Sequence, residues 1–78
     1  QREILIDENE TIKTLLEKVE LESKSLLLEY IPLISAGTII PVIQNEAAAS
    51  YYPKRSPDDG LINWKLTSDE ISRFIRAQ

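Results

Sequence analysis

The stretch TIKTLLEKVELESKSLLLEYIPLISA, residues 11–36, is the longest patterned run in this chain of 78 residues. Its apolar residues recur every three or four positions, which predicts one amphipathic helix of about seven turns. Pro32 removes one helix hydrogen bond and predicts a kink or a restart there, and Gly37 is placed to end the helix. Because such a stripe usually covers a sheet, we expect it to pack against strands through Ile12, Leu16, Val19, Leu27 and Ile31.

The residues before this helix carry a strand pattern and then capping signals. Residues 2–7, REILID, place Ile4 and Ile6 on one face, and this alternation predicts a strand. Asp7 and Glu10 have the spacing of a capping box, and Asn9 and Thr11 are also good N-caps. The sequence therefore leaves the first helical residue open within a few positions.

Two further strand signals follow the helix. Residues 38–43, TIIPVI, are β-branched and apolar and predict a short edge strand. Residues 50–64, SYYPKRSPDDGLINW, predict a β-hairpin with a turn from Ser56 to Gly60, in which Gly60 takes a positive φ. Trp64 has a large apolar body, so we expect it to anchor the second arm in the core.

A second helix is predicted at the end of the chain. Thr67 and Glu70 have capping-box spacing, and Ile71, Phe74 and Ile75 form an apolar face. The predicted order is strand, long kinked helix, short strand, β-hairpin and C-terminal helix. We therefore expect an α/β fold.

Composition excludes several kinds of site. The chain has no Cys and no His, so it offers no disulfide, no thiolate metal site and no imidazole base. The net charge of −4 is uneven: residues 1–50 hold nine acids and four bases, whereas residues 51–78 hold four acids and five bases. An acidic chain is a poor generic nucleic-acid binder. Four cations are candidates for a local basic patch or for ordinary solvated side chains: Lys54, Arg55, Arg73 and Arg76.

No catalytic constellation is complete within these residues. Asp58 and Asp59 are adjacent, so they cannot act as a facing carboxylate pair, and we expect them to fix the turn. The only glycines are Gly37 and Gly60, which excludes a Gly-rich phosphate loop. The helix acids have no metal-ligand spacing, so we predict no metal site.

The order of features along the chain resembles the C-terminal part of the catalytic domain of the tetrahydrofolate-dependent formyltransferases, which include the methionyl-tRNA and sugar-nucleotide enzymes. One departure is Asn63, which stands where the family usually has Asp. The resemblance covers almost the whole chain, and no single piece of it is specific. It is carried by Thr11, Leu15, Leu16, Leu26, Leu27, Leu28, Leu33, Gly37, Gln44, Glu46, Ser50, Tyr51, Lys54, Ile62, Trp64, Ile71, Ile75, Arg76 and Ala77.

The resemblance implies a parent enzyme with a Rossmann-like domain that moves a formyl group from 10-formyltetrahydrofolate to an amine in the cytoplasm. Residues 1–66 would be the C-terminal portion of its catalytic domain, and residues 67–78 a helix leading toward a further domain. The family's catalytic Asn, His and Asp lie N-terminal to everything matched, so we expect no catalytic residue here. The chain does not begin with Met and ends within a helical pattern, and we expect a fragment.

The resemblance also implies an acceptor, either a nucleotide sugar or initiator tRNA. Both carry phosphates, which suit Lys and Arg as partners. We therefore predict an acceptor-binding surface made by Tyr51, Tyr52, Lys54 and Arg55. The alternative is a non-catalytic module that docks a protein partner on the amphipathic helix 11–36.

Overall fold

The computed structural model describes residues 1–78 and contains two α-helices, α1 at Ile12–Ser35 and α2 at Ser68–Arg76. Two short 3-10 helices lie between them, at Glu46–Ala48 and Pro57–Gly60. There is no β-strand. Neither α-helix is both long enough and apolar enough to cross a membrane.

The start of α1 is fixed by a threonine pair. Thr11 is the N-cap, and its hydroxyl accepts a hydrogen bond from the Thr14 backbone N–H at 3.2 Å. The Thr14 hydroxyl accepts in return from the Thr11 N–H at 3.0 Å. Capping therefore selects Thr11 rather than Asn9. Asp7 and Glu10 instead close a turn before the helix, with the Glu10 N–H donating to the Asp7 carbonyl at 3.0 Å.

The end of α1 confirms the role predicted for glycine. The helix continues through Pro32 as one element and ends when Gly37 takes a φ of 69°. The Thr38 N–H donates to the Leu33 carbonyl at 3.1 Å, and the Gly37 N–H donates to the Ile34 carbonyl at 3.0 Å. These two bonds form a Schellman motif, which satisfies carbonyls that the last turn leaves open.

The N-terminal segment lies along α1 and runs opposite to it. Arg2 reaches toward the C-terminal half of the helix, where its guanidinium donates to Glu22 at 3.3 Å, Ser25 at 3.0 Å and Glu29 at 2.5 Å. Ile4 is half-buried against this side. The segment is thus held by side chains rather than by a backbone ladder.

The prediction of an α/β fold is wrong, because none of the predicted strands forms. Residues 2–7 and 38–43 are extended or irregular, and no two such segments pair through their backbones. A strand needs a neighbouring backbone to accept its hydrogen bonds, whereas a helix satisfies its own. The alternating residues are therefore insufficient to make a sheet here, and the stripe of α1 has no strands to pack against.

The predicted hairpin at 50–64 is wrong for the same reason. Pro57–Gly60 forms a 3-10 turn, closed by the Asp59 N–H donating to the Ser56 carbonyl at 3.1 Å, but its flanking arms do not pair. Gly60 does not take the predicted positive φ. Trp64 is 77% exposed, so the prediction that it anchors a core is also wrong.

The helix α2 begins as predicted. The Thr67 hydroxyl accepts from the Glu70 N–H at 3.3 Å, and the Glu70 carboxylate accepts from the Thr67 N–H at 2.9 Å. These hydrogen bonds lower the pKa of the Glu70 carboxyl, with the backbone bond from Thr67 as the largest cause. Ile71 and Phe74 are half-buried on the predicted apolar face.

The chain as a whole is extended and has no core. Its radius of gyration is 17.7 Å, whereas a compact chain of this length would have about 11.5 Å. No residue is buried, and α1 and α2 share no extended interface. Much of the apolar face of α1 therefore meets solvent, including Leu16, Leu27, Ile31 and Ile34.

Candidate functional site

The four predicted acceptor-binding residues lie on one exposed stretch between the two 3-10 helices. Tyr51 and Tyr52 are 89% and 90% exposed, and neither phenol makes a hydrogen bond within the chain. Because both rings are almost fully exposed, they are accessible for stacking, and residues 50–54 make no hydrogen bond within the chain. The structure gives them accessibility but does not gather them around a cleft.

Lys54 and Arg55, the two cations of this stretch, differ in whether they bind other groups of the chain. Lys54 is exposed and has neither an ion pair nor a hydrogen bond within the chain. Arg55 is exposed but donates to the Asp59 carbonyl at 3.3 Å and to the Gln78 side-chain oxygen at 2.5 Å. Arg55 therefore ties the 3-10 turn to the end of α2. Whether these residues bind an acceptor stays a prediction.

The adjacent aspartates have separate roles. The Asp59 carboxylate accepts from the Ser56 N–H at 2.7 Å and from the Ser56 hydroxyl at 3.2 Å. The backbone bond is the largest cause of a lowered pKa for Asp59. Asp58 contributes its backbone carbonyl, which accepts from the Leu61 N–H at 3.1 Å. Both residues fix the turn, as predicted, and they do not form a general acid–base pair.

Asn63 also has a local structural role. Its side-chain oxygen accepts from the Lys65 N–H at 3.1 Å, and its carbonyl accepts from the Leu66 N–H at 3.2 Å. Asp has an equivalent oxygen at this position, so it would make the same turn. An Asp in place of Asn63 would therefore preserve the geometry after Ile62.

Sequence reasoning missed a charged cluster around Lys18. Its ammonium group donates to Asp7 at 2.9 Å, to Glu10, and to the Leu5 carbonyl at 3.2 Å. Lys18 and then Thr14 lower the pKa of the Glu10 carboxyl to about 2, and Glu10 followed by Asp7 raises the pKa of Lys18. The sequence signal for this cluster is the spacing of Asp7 and Glu10, which on its own indicates a capping box.

The cluster is an attachment point and not a metal centre. No group of three or more potential ligands in the chain has the geometry to hold a metal ion. Lys18 occupies the space between the two carboxylates, and its positive charge would oppose a cation there. Its effect is to fasten residues 5–10 to the first half of α1.

The four cations considered for a basic patch do not all line one cleft. Arg73 and Arg76 line a polar cleft with Glu8 and Asn9, on the side of α2 that faces the turn before α1. Arg55 bonds to Gln78, and neither it nor Lys54 lines that cleft. The sequence identified the cations, but it had no signal that would place Glu8 and Asn9 opposite α2.

Comparison with known proteins shows that the chain is homologous to methionyl-tRNA formyltransferases over most of its length. It is 37% identical to the enzyme of Streptococcus sanguinis over 72 residues, which are 92% of this chain and 23% of that protein. It is 32% identical to the Streptococcus suis enzyme over 74 residues, or 95% of this chain and 24% of that protein. The resemblance seen in the sequence is thereby confirmed.

A third relative matches a shorter part more strongly. The methionyl-tRNA formyltransferase of Dictyoglomus thermophilum is 48% identical over 52 residues, which are 67% of this chain and 17% of that protein. The chain thus spans about a fifth of the length of the relatives it matches. No protein-family model matches the chain, and no solved structure matches it.

Proposed function

We propose that these residues serve as part of a formyltransferase that moves a formyl group from 10-formyltetrahydrofolate to an amine in the cytoplasm. The single observation that carries this proposal is the 37% identity to a methionyl-tRNA formyltransferase over 92% of the chain. Methionyl-tRNA is the acceptor that the names of the relatives favour. A nucleotide sugar is the second acceptor, since the runs KRSPDDG and LINW resemble that branch of the family somewhat more.

Within such an enzyme we assign these residues to scaffold and acceptor contact. Residues 1–66 belong to the C-terminal portion of the catalytic domain, and residues 67–78 lead toward a further domain. The catalytic Asn, His and Asp and most of the folate site lie outside this segment. The absence of His from the sequence is consistent with that division.

The acceptor surface is Tyr51, Tyr52, Lys54 and Arg55. Both rings are open for stacking and Lys54 has no competing partner, which supports contact with a phosphate-bearing acceptor. Arg55 holds the turn, so its contribution combines positioning with charge. This geometry predicts different consequences for the two cations.

The function is tested by formyl transfer in the protein expressed from its complete gene. We expect formylation of methionyl-tRNA with 10-formyltetrahydrofolate, and the nucleotide amino sugar serves as the competing acceptor. Transfer to neither acceptor would overturn the proposal. Lys54→Ala is expected to raise the KM for the acceptor without changing the KM for the folate, and Lys24→Ala is the matched control on α1. An unchanged acceptor KM would leave Lys54 as an ordinary surface residue.

A protein-interaction module remains a second candidate because of one observation. The apolar face of α1 is exposed, with Leu16 at 59% and Ile34 at 63%, and exposed apolar patches often mark interaction sites. In that case helix 11–36 would dock a protein partner, and the complete protein would not catalyse formyl transfer. The complete gene product distinguishes the two, because only a formyltransferase would carry an Asn-x-His motif and a later Asp upstream of Gln1.

A further inference from the structure

A two-part groove lies between the turn before α1 and the exposed side of α2. One part is a polar cleft of about 470 Å³ that includes Glu8, Asn9 and Ser72. The other is an apolar cavity of about 340 Å³ beside it. Glu8, Arg73 and Arg76 line both parts, so the two spaces adjoin. Pockets that hold small molecules have about this size.

The two arginines are oriented but have no carboxylate partner. The Arg76 guanidinium donates to the Ser72 hydroxyl at 2.7 Å, and the Arg73 Nε donates to the Asp69 carbonyl at 3.4 Å. Neither forms an ion pair within the chain. Each guanidinium retains several N–H donors in a planar fork, an arrangement that suits a bidentate carboxylate. They are one turn apart on α2, so both border the same space.

The apolar part is lined by four aliphatic residues from both sides of the groove, together with the polar residues Asp7, Glu10 and Thr11 and the three residues shared with the polar part. Ile12 and Leu15 come from the first turns of α1, Ile6 comes from the segment before it, and Ala77 from the end of α2. Leu15 is half-buried, whereas Ile6 is 69% exposed. A branched aliphatic group placed here would remove apolar surface from water on both walls.

Two acids complete the polar part. Glu8 and Asp69 also line the cleft, and neither forms an ion pair within the chain. A simple anion would meet these carboxylates as well as the arginines, so the lining does not favour phosphate. It favours a ligand that carries both charges close together.

We propose that this groove binds an apolar α-amino acid as its zwitterion. The ligand carboxylate meets Arg73 and Arg76, the ammonium meets Glu8 and Asp69, and the aliphatic side chain enters the cavity beside Ile12 and Leu15. The site is independent of the acceptor surface at residues 51–55. For a ligand with so few atoms in an open groove, we expect a dissociation constant on the order of 1 mM.

The binding mode is tested with four ligands titrated into the protein expressed from its complete gene and followed by two-dimensional NMR. Leucine carries all three features, N-acetyl-leucine lacks the ammonium, leucinamide lacks the carboxylate, and serine lacks the aliphatic group. We expect leucine to bind about tenfold more tightly than N-acetyl-leucine or leucinamide, in line with the loss of one charged contact. Serine should also bind about tenfold more weakly, because it lacks the aliphatic group that leucine buries. Tighter binding of N-acetyl-leucine or of leucinamide would assign the groove to the C-terminus or the N-terminus of a peptide and overturn the amino-acid assignment.

The site is tested with charge-neutral variants. Arg76→Gln should weaken leucine binding about tenfold, and Lys24→Gln, which makes the same charge change on α1, should leave it unaltered. Shifts should concentrate at residues 6–12 and 73–77. Equal binding by all four ligands, or leucine binding that Arg76→Gln leaves unaltered, would each overturn the proposal.

Discussion

Residues 1–35 and residues 36–66 are similar in apolar content but are held in different ways. The first region has a helix and an extended segment that Arg2 and Lys18 fasten along it. The second has two short 3-10 helices. Residues 39–44, before the first of them, and residues 50–54, between the two, make no backbone hydrogen bond. Most of this second region's apolar side chains are in water, with Ile43 94% exposed, although Ile39 and Ile62 are half-buried.

The difference shows that charged side chains can position a segment where a core is missing. No residue of either region is buried, so burial does not distinguish them. What distinguishes them is the presence of a long helix that offers partners on successive turns. Glu22, Ser25 and Glu29 lie on one side of α1, and they accept from a single guanidinium.

Replacing Lys18 should have the largest effect on the difference in backbone order between the two regions. Lys18→Met deletes the contacts to Asp7, Glu10 and the Leu5 carbonyl together. Residues 3–10 should then become as mobile as residues 39–44. Backbone order parameters should fall from about 0.85 to below about 0.6. Lys24→Met is the matched control, and order retained at residues 3–10 in Lys18→Met would show that Arg2 alone holds the segment.

Acid should release the same segment at an unusually low pH. The pKa of Glu10 is lowered from 4.5 to about 2, with Lys18 as the largest cause. A carboxyl with a lowered pKa contributes stability that is fully present above its ordinary value of 4.5 and is lost as the pH falls through about 2. We therefore expect the segment to stay attached at pH 3.5.

The carboxyl carbon shift of Glu10 measures this directly. In the native chain it should titrate near pH 2, and in Lys18→Met it should titrate at a higher pH, closer to the ordinary value, since the hydrogen bond from Thr14 remains. A Glu10 that titrates near its ordinary value in the native chain would mean that the contact with Lys18 is not maintained in solution. The order of residues 3–10 would then need another cause.

The two glycines provide a smaller and cleaner comparison. At Gly37, φ is 69°, and a Cβ would meet no atom within 4 Å, so any cost of Gly37→Ala is conformational. We expect that change to destabilise the end of α1 by about 1 kcal/mol. At Gly60, φ is not positive and a Cβ would meet only the Gln78 side-chain oxygen at 3.9 Å. Gly60→Ala should be neutral or stabilise by about 0.5 kcal/mol.

Thermal unfolding monitored by circular dichroism gives both values under the same conditions. The opposite signs matter because the sequence predicts positive φ at both glycines. Destabilisation by Gly60→Ala of the same size as by Gly37→Ala would restore the predicted turn at residues 56–60. Equal and negligible effects would place the Schellman motif outside the stable part of the chain.

What the sequence predicts well in this protein is local. Thr67 with Glu70, and Gly37 after the last turn, each act within a few residues, and the structure has both motifs. Thr11 is one of several good caps in the sequence, and the choice among them depends on the Thr14 hydroxyl. The two helices are therefore predictable, and only the first residue of α1 is uncertain.

What the sequence does not predict depends on partners far along the chain. Strand formation at residues 38–43 needs a second backbone, and the attachment of Arg2 depends on groups 20 to 27 residues away. The same holds for the candidate site. Composition identifies Lys54 and Arg55 as equivalent cations, and only the contacts of Arg55 with Asp59 and Gln78 separate them. The homology concerns the family of the segment and does not supply these contacts.

The smallest expected effect distinguishes the two edges of the α1 stripe. Leu15 is half-buried beside α2, whereas Leu16 is 59% exposed. Because alanine is the best helix former, Leu→Ala at either site loses side-chain packing without losing helix propensity. Full burial of a Leu is worth roughly 1.5–3 kcal/mol, so Leu15→Ala should cost about 1 kcal/mol and Leu16→Ala less than about 0.5 kcal/mol. Parallel thermal melts measure the difference. A cost at Leu16 that equals or exceeds the cost at Leu15 would show that the exposed face of α1 is covered in solution, most simply by a second copy of the chain. The melting temperature would then depend on protein concentration.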